Sequence, residues 1–254
     1  MQFKLKSLPV LCIAIVGSGV FAQTKPPEPD YTLAYNIGVF SDYRFRGISQ
    51  TRLDPAVQGG IDFTHKSGFY LGAWASNIKW IKDAGGKNSN AEIDLYGGYR
   101  GTVSDLGYDL GVLTYVYPSH RGFLPVNPET TEIYGALTYG PVTAKYSHAV
   151  SNAFGNASSK DSGYLEAAAT FELGKGWSVA PHIGHQRIAG SPGGVSNSKF
   201  SYADYSLAVN YDFGNGLVAS ATAIGTDAKK GSYVTLAGKN TGRDGLVLGL
   251  KYSF

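Results

Sequence analysis

Beyond its first 22 residues this chain has no cysteine: the only one is Cys12, and the only methionine is Met1. Neither a disulfide framework nor thiol chemistry is open to such a chain. After residue 22 no apolar run approaches 18 residues. That excludes a membrane-spanning helix but not a membrane barrel, whose strands hide their apolar half in alternation. Charge is sparse and nearly balanced. The 22 Lys plus Arg face 19 Asp plus Glu, and losing Lys4 and Lys6 with a leader leaves 20 against 19, net +1. A nucleic-acid binder needs a basic excess that is missing here. Helical periodicity is also missing beyond the leader. Of the five histidines (His65, His120, His148, His182, His185), no pair has metal-ligand spacing with a supporting carboxylate, so neither a metal nor a cofactor is expected.

The leader itself reads plainly. Lys4 and Lys6 precede an apolar stretch over 8–20, and Val20-Phe21-Ala22 supplies a cleavage site before Gln23. Leu11 before Cys12 is not the small residue a lipoprotein site wants. Residues 23–30, with Pro26, Pro27 and Pro29, form an extended tether. Residues 31–254 make one domain.

What is present is alternation. In the last stretch, GLVLGLKYSF, Leu246, Leu248, Leu250, Tyr252 and Phe254 point one way, and Val247, Gly249, Lys251 and Ser253 the other. An apolar strand ending in a terminal Phe resembles the C-terminal signal of bacterial outer-membrane barrels, which implies delivery by the barrel-assembly machinery through Phe254. The same two-faced pattern recurs over 31–46, 55–65, 68–78, 90–101, 106–117, 131–140, 141–150, 163–173, 176–188, 201–213, 217–226 and 242–254, predicting twelve strands. A sandwich could show such alternation. Only a barrel explains the connections, which alternate between tight Gly, Asn and Pro turns and long polar loops around 47–54, 79–89, 118–130, 151–162, 189–200 and 227–241. The expectation is therefore an all-β, up-and-down antiparallel barrel in a bacterial outer membrane, bedded in lipid and lipopolysaccharide. Short turns and both termini would lie on the periplasmic side. Aromatics cluster near strand ends as interfacial girdles would.

No enzyme is expected. His148 followed by Ser151 and Asn152 is faintly like the arrangement of outer-membrane phospholipases, but a solvated loop histidine explains it more simply. Gly214-Asn215-Gly216 and Gly193-Gly194 lack the strand-to-helix setting of a phosphate loop.

The polar face is more informative. Twelve strands about 4.8 Å apart, tilted near 40°, give a backbone radius of roughly 12 Å, so a narrow aqueous lumen is possible. The expected pore-lining set is Arg44, Arg46, Asp62, Glu92, Asp94, Arg100, Asp109, Glu132, Lys145, Glu166, Asp204, Arg243 and Lys251. Placing Arg44, Arg46, Arg243 and Lys251 on strands one and twelve, opposite Glu92, Asp94, Asp109 and Glu132, predicts a transverse field able to select solutes. The alternative is that these charges pair and plug the barrel. The loop over 118–130, with three prolines and Arg121, is the expected constriction.

The run Ser41-Asp42-Tyr43-Arg44-Phe45-Arg46-Gly47-Ile48-Ser49-Gln50-Thr51 resembles the TorF-family porins of proteobacteria. Pro55-Ala56-Val57-Gln58-Gly59-Gly60-Ile61-Asp62, Trp74-Ala75-Ser76-Asn77, Glu92-Ile93-Asp94 and Tyr96-Gly97-Gly98-Tyr99 extend the similarity. The resemblance implies an outer-membrane barrel of undefined substrate, without catalytic residues, and points to residues 44–51 as a segment that matters. The expected function is passive diffusion of small polar or charged solutes. The alternative is a closed barrel acting through its outer loops, as an adhesin, receptor or structural protein.

Overall fold

The computed structural model describes residues 29–85, 89–118 and 126–254. The predicted leader, most of the tether and the middle of the 118–130 loop lie outside them. Fifteen β-segments follow in order: β1 (Tyr31–Phe40), β2 (Arg44–Phe45), β3 (Ile48–Ser49), β4 (Ala56–His65), β5 (Phe69–Asn77), β6 (Ala91–Val103), β7 (Leu106–Val116), β8 (Thr130–Tyr139), β9 (Val142–Ala149), β10 (Gly163–Ala169), β11 (Phe171–Gly174), β12 (Trp177–Arg187), β13 (Tyr202–Gly214), β14 (Leu217–Thr226) and β15 (Gly245–Ser253). A single helical turn, α1 (Trp80–Asp83), interrupts the second long loop.

All but β2 and β3 form one antiparallel sheet, closed where β15 pairs with β1 (Asn36 opposite Ser253, Phe40 opposite Gly249). β10 and β11 are halves of one stave, so the barrel has twelve. The break at Thr170 has a cause on the facing strand. Ala168 pairs with His182 and Phe171 with Val179, which puts Pro181 opposite Ala169, at the edge of the gap. Proline has no N–H to give the ladder there.

The short turns pair strands as expected. Asn215 (φ 54°) and Gly216 (φ 83°) link β13 to β14, and two positive φ values in a two-residue loop are the type I′ signature. Outward side chains are apolar and bare: Leu71, Leu110 and Leu246 are each at least 60% exposed. At about 25 cal/mol per Å², so continuous an apolar belt suits hydrocarbon, not water. Rings pair at the short-turn rim, Tyr31 with Phe63 at 5.6 Å, Phe69 with Tyr99 at 5.0 Å and Trp177 with Tyr211 at 4.8 Å.

Two boundaries differ from expectation by three residues or more. The first strand stops at Phe40 instead of running to residue 46, and the last begins at Gly245 instead of 242. Alternation does continue past Phe40, but in a different element. Residues 41–55 turn into the bore, where β2 and β3 form a separate hairpin. Arg44, Arg46 and Arg243 therefore stand off the barrel wall.

Candidate functional site

The hairpin is a tight, self-stapled unit. Phe45 pairs with Ile48 across Arg46 (φ 47°) and Gly47 (φ 81°), again two positive φ values. Gly47 is required twice over, since a Cβ there would also meet Thr226 Cγ2 at 2.4 Å. Arg46 bears the left-handed conformation as a non-glycine residue, at a cost of about 1–2 kcal/mol. At the hairpin's base the buried Asp42 carboxylate accepts from Ser49 Oγ (2.5 Å), Thr51 Oγ1 (2.9 Å) and Arg44 Nε (2.5 Å). Arg44 also donates to the carbonyls of Gly47 (2.9 Å) and Arg243 (2.8 Å).

From this base the hairpin reaches walls on every side. Six residue steps lead from Phe40 to Arg46, roughly 20 Å of extended chain, enough to pass the axis. Tyr43 donates to Glu92 on β6 at 2.5 Å and packs edge-on to Trp74 on β5. Phe45 meets Tyr115 on β7 at 5.3 Å. Arg46 makes a two-pronged ion pair with Glu132 on β8 (3.0 and 2.7 Å) and donates to Gln186 on β12 at 2.6 Å. β8 lies five strands round from β1 in one direction and β12 four in the other, so the guanidinium bridges to the far side. It sits 4.8, 4.2 and 5.8 Å from the ring centres of Phe45, Tyr164 and Phe154, within cation–π range.

The remaining predicted residues fall into three groups. Asp62 accepts from Tyr96 at 2.5 Å and Asp109 from Tyr70 at 2.5 Å, while Asp94 Oδ1 is buried with no protein partner. Glu166 and Asp204 flank His182 (3.1 and 3.4 Å), and Asp204 also accepts from Tyr164 at 2.9 Å. Towards the short-turn end, Arg100 donates to Thr64 at 2.8 Å, Lys145 lies 4.4 Å above the Tyr134 ring, and Lys251 stands on β15 between Leu250 and Tyr252. The expected basic wall on strands one and twelve is thus reduced to Lys251. Arg44 is consumed inside the hairpin, Arg46 is paired with an acid of the supposed opposite wall, and Arg243 is exposed in a loop. The expected constriction over 118–130 lies partly outside the described residues, and among those described the 41–55 segment holds the bore.

Several partners carry no charge and were missed by a search for charges: Tyr43, Tyr164 and Gln186. Tyr43 of the hairpin segment, Tyr115 of β7 and the loop residues Ile78, Ile81 and Tyr117 pack a small apolar core. At the rim His148 Nε2 lies 3.3 Å from Asp161, but Ser151 Oγ is engaged by Thr131 N and the Asn152 carbonyl, so no nucleophile is held on that pair.

A closed twelve-stranded antiparallel barrel with short turns at one end and packed loops at the other has the fold of outer-membrane channels. Solved structures agree. The chain is similar to the KdgM porin (TM-score 0.53, 8% identity, 87% of this chain and 98% of that one). It is likewise similar to the NanC porin (0.51, 8%, 88% and 99%) and to the COG4313 outer membrane channel from Pseudomonas putida F1 (0.50, 12%, 91% and 99%). No curated protein matches the sequence. Over residues 24–254 it matches Gcw_chp, described as bacterial protein of unknown function, and the chain belongs to that family.

Proposed function

We propose that this protein is an outer-membrane channel for small solutes, that its bore is narrowed by the 41–55 hairpin, and that it prefers cations and neutral molecules to anions. The observation that supports it is the Arg46 bridge to β8 and β12, which sets a polar constriction inside an otherwise ordinary barrel. The resemblance of residues 41–51 to the TorF-family porins agrees, since that run is the hairpin. The preference for cations follows from what neutralises what. Arg46 is matched by Glu132, whereas Asp62 and Asp109 receive only tyrosine hydroxyls, which stabilise a carboxylate without cancelling its charge. One similar structure is of the KdgM porin with oligogalacturonate, a polyanion. The acid-rich wall here opposes such a solute.

The expected partners are lipid and lipopolysaccharide around the apolar belt and the assembly machinery at Phe254. A second reading is favoured by the apolar core in the mouth: a closed barrel acting through its outer loops. Planar-bilayer conductance in a salt gradient separates the two. The channel predicts discrete steps and a reversal potential of cationic sign, moved toward zero by Asp62→Asn with Asp109→Asn. A folded, inserted and silent barrel refutes it and leaves the loops. Unchanged selectivity in the double variant removes the acid wall from the explanation.

A further inference from the structure

Between the hairpin and the outer loops lies a cavity of about 220 Å³. Its walls are rich in rings: Phe45, Trp80, Tyr117, Phe154, Tyr202 and Tyr233 all line it. Most of its polar lining is already engaged; the exception is Trp80 Nε1, a buried donor with no protein partner. Ser49 Oγ is bound to Asp42, Gln50 to the Ile48 carbonyl, and Gln186 to Arg46 and the Gly163 carbonyl. Ser232 donates to the Lys199 carbonyl, Tyr233 to Phe200 and Thr241 to Tyr233. Asp83, the one charged residue of the lining, is paired with Arg52.

We infer that this cavity binds a neutral, monocyclic aromatic molecule. A sugar of similar size needs many hydrogen bonds; Trp80 Nε1 offers one, and most of the others would have to be taken from a partner named above, at a cost. A charged molecule would find no free counter-charge in the lining. A flat apolar ring needs neither, and aromatic walls receive it by offset and edge-on contacts. The floor of the cavity is also the constriction, because Phe45, Phe154 and Gln186 line the cavity and touch Arg46. A ligand seated there rests against the residues that hold the bore. The binding inference stands whether or not the barrel conducts.

The test is ¹⁹F NMR of 4-fluoroanisole with the full mature chain folded in detergent. Binding predicts a saturable second environment, distinct from linear partition into micelles. Val234→Trp, at a 43% exposed lining position, should fill the space and abolish it. Trp80→Ala should weaken it roughly tenfold. Excess methyl glucoside or benzoate should displace nothing. Partition that never saturates, or a saturable signal unchanged by Val234→Trp, overturns the site. Displacement by methyl glucoside overturns the ligand class.

Discussion

Replacing Arg46 with alanine should release the hairpin while leaving the barrel standing. The guanidinium and the Glu132 carboxylate are 7% and 2% exposed, so removing one strands the other as an uncompensated buried charge. Breaking such a pair costs about 3–5 kcal/mol. Every ~1.4 kcal/mol is tenfold, so the population with the hairpin withdrawn should rise roughly 10²- to 10³-fold. Alanine is the right choice over glycine. Glycine would also relieve the left-handed strain at this position and mask part of the loss. Residues 23–254 contain no cysteine, so in a chain of those residues Ile48→Cys, buried at 6% exposure on the hairpin, gives a background-free reporter. Its maleimide labelling rate should follow the withdrawn population, and single-channel conductance should grow with it. The unfolding midpoint of the barrel should barely move, because no ladder hydrogen bond involves the Arg46 side chain. Labelling that rises less than about threefold, where roughly 10² is expected, would refute the claim that this ion pair holds the hairpin.

Other perturbations probe other links. A Cβ at Gly72 would meet the Tyr96 ring at 2.3 Å, so Gly72→Ala should push the ring off the wall, break its bond to Asp62 and cost about 1–3 kcal/mol in denaturant unfolding. In the outer loops, a hydrogen bond from Lys79 (2.6 Å) holds the Asp54 carboxyl below its ordinary value of 3.8. A depressed folded value means that this contact contributes fully above pH 3.8 and is lost as pH falls through the folded value. The Asp54 carboxyl resonance should therefore titrate below that of Asp54 in the Lys79→Met variant, and equal midpoints would dismiss the contact. Phe254 exchanges two backbone bonds with Tyr35 and stacks on its ring at 5.7 Å. Deleting it should cost the folded barrel only about 1–3 kcal/mol. If the assembly machinery reads Phe254, the amount of barrel assembled in cells should fall far more than that loss explains.

The barrel was legible because a membrane wall imposes one rule on every strand, apolar out and anything else in, and a period of two records it. All twelve staves, their order and the alternation of short and long connections follow from that rule. It fails at residues 41–46. There Asp42, Arg44 and Arg46 alternate with Tyr43 and Phe45 as they would on a wall strand, yet both faces of the hairpin are enclosed by the bore. Alternation reports which sides differ, not whether lipid is one of them. The available signal was length: the stretch over 31–46 runs to 16 residues, where a spanning barrel strand needs only about 9–11.

The chain's abundance of glycine and tyrosine, 34 and 18 residues, has a physical reading in the bore. Tyr96 lies over Gly72, Tyr70 over Gly98, Tyr134 over Gly111 and Tyr164 over Gly184, each ring where a side chain on the facing strand would clash. Laid against bare backbone, the rings occupy little of the cross-section, and three of them carry a hydroxyl to an acid: Asp62, Asp109 and Asp204. The result is a wall whose carboxylates are fixed in place by neutral donors and so keep their field. Arginine would have fixed them as firmly and erased it. Arg46 does that once, at Glu132, and there the purpose is anchorage of a loop. Tyr96→Phe should accordingly free the Asp62 side chain to move without changing the sign of the reversal potential, whereas Asp62→Asn should shift that potential toward zero. Equal shifts from the two variants would show that the hydroxyl, and not the charge, shapes the passage.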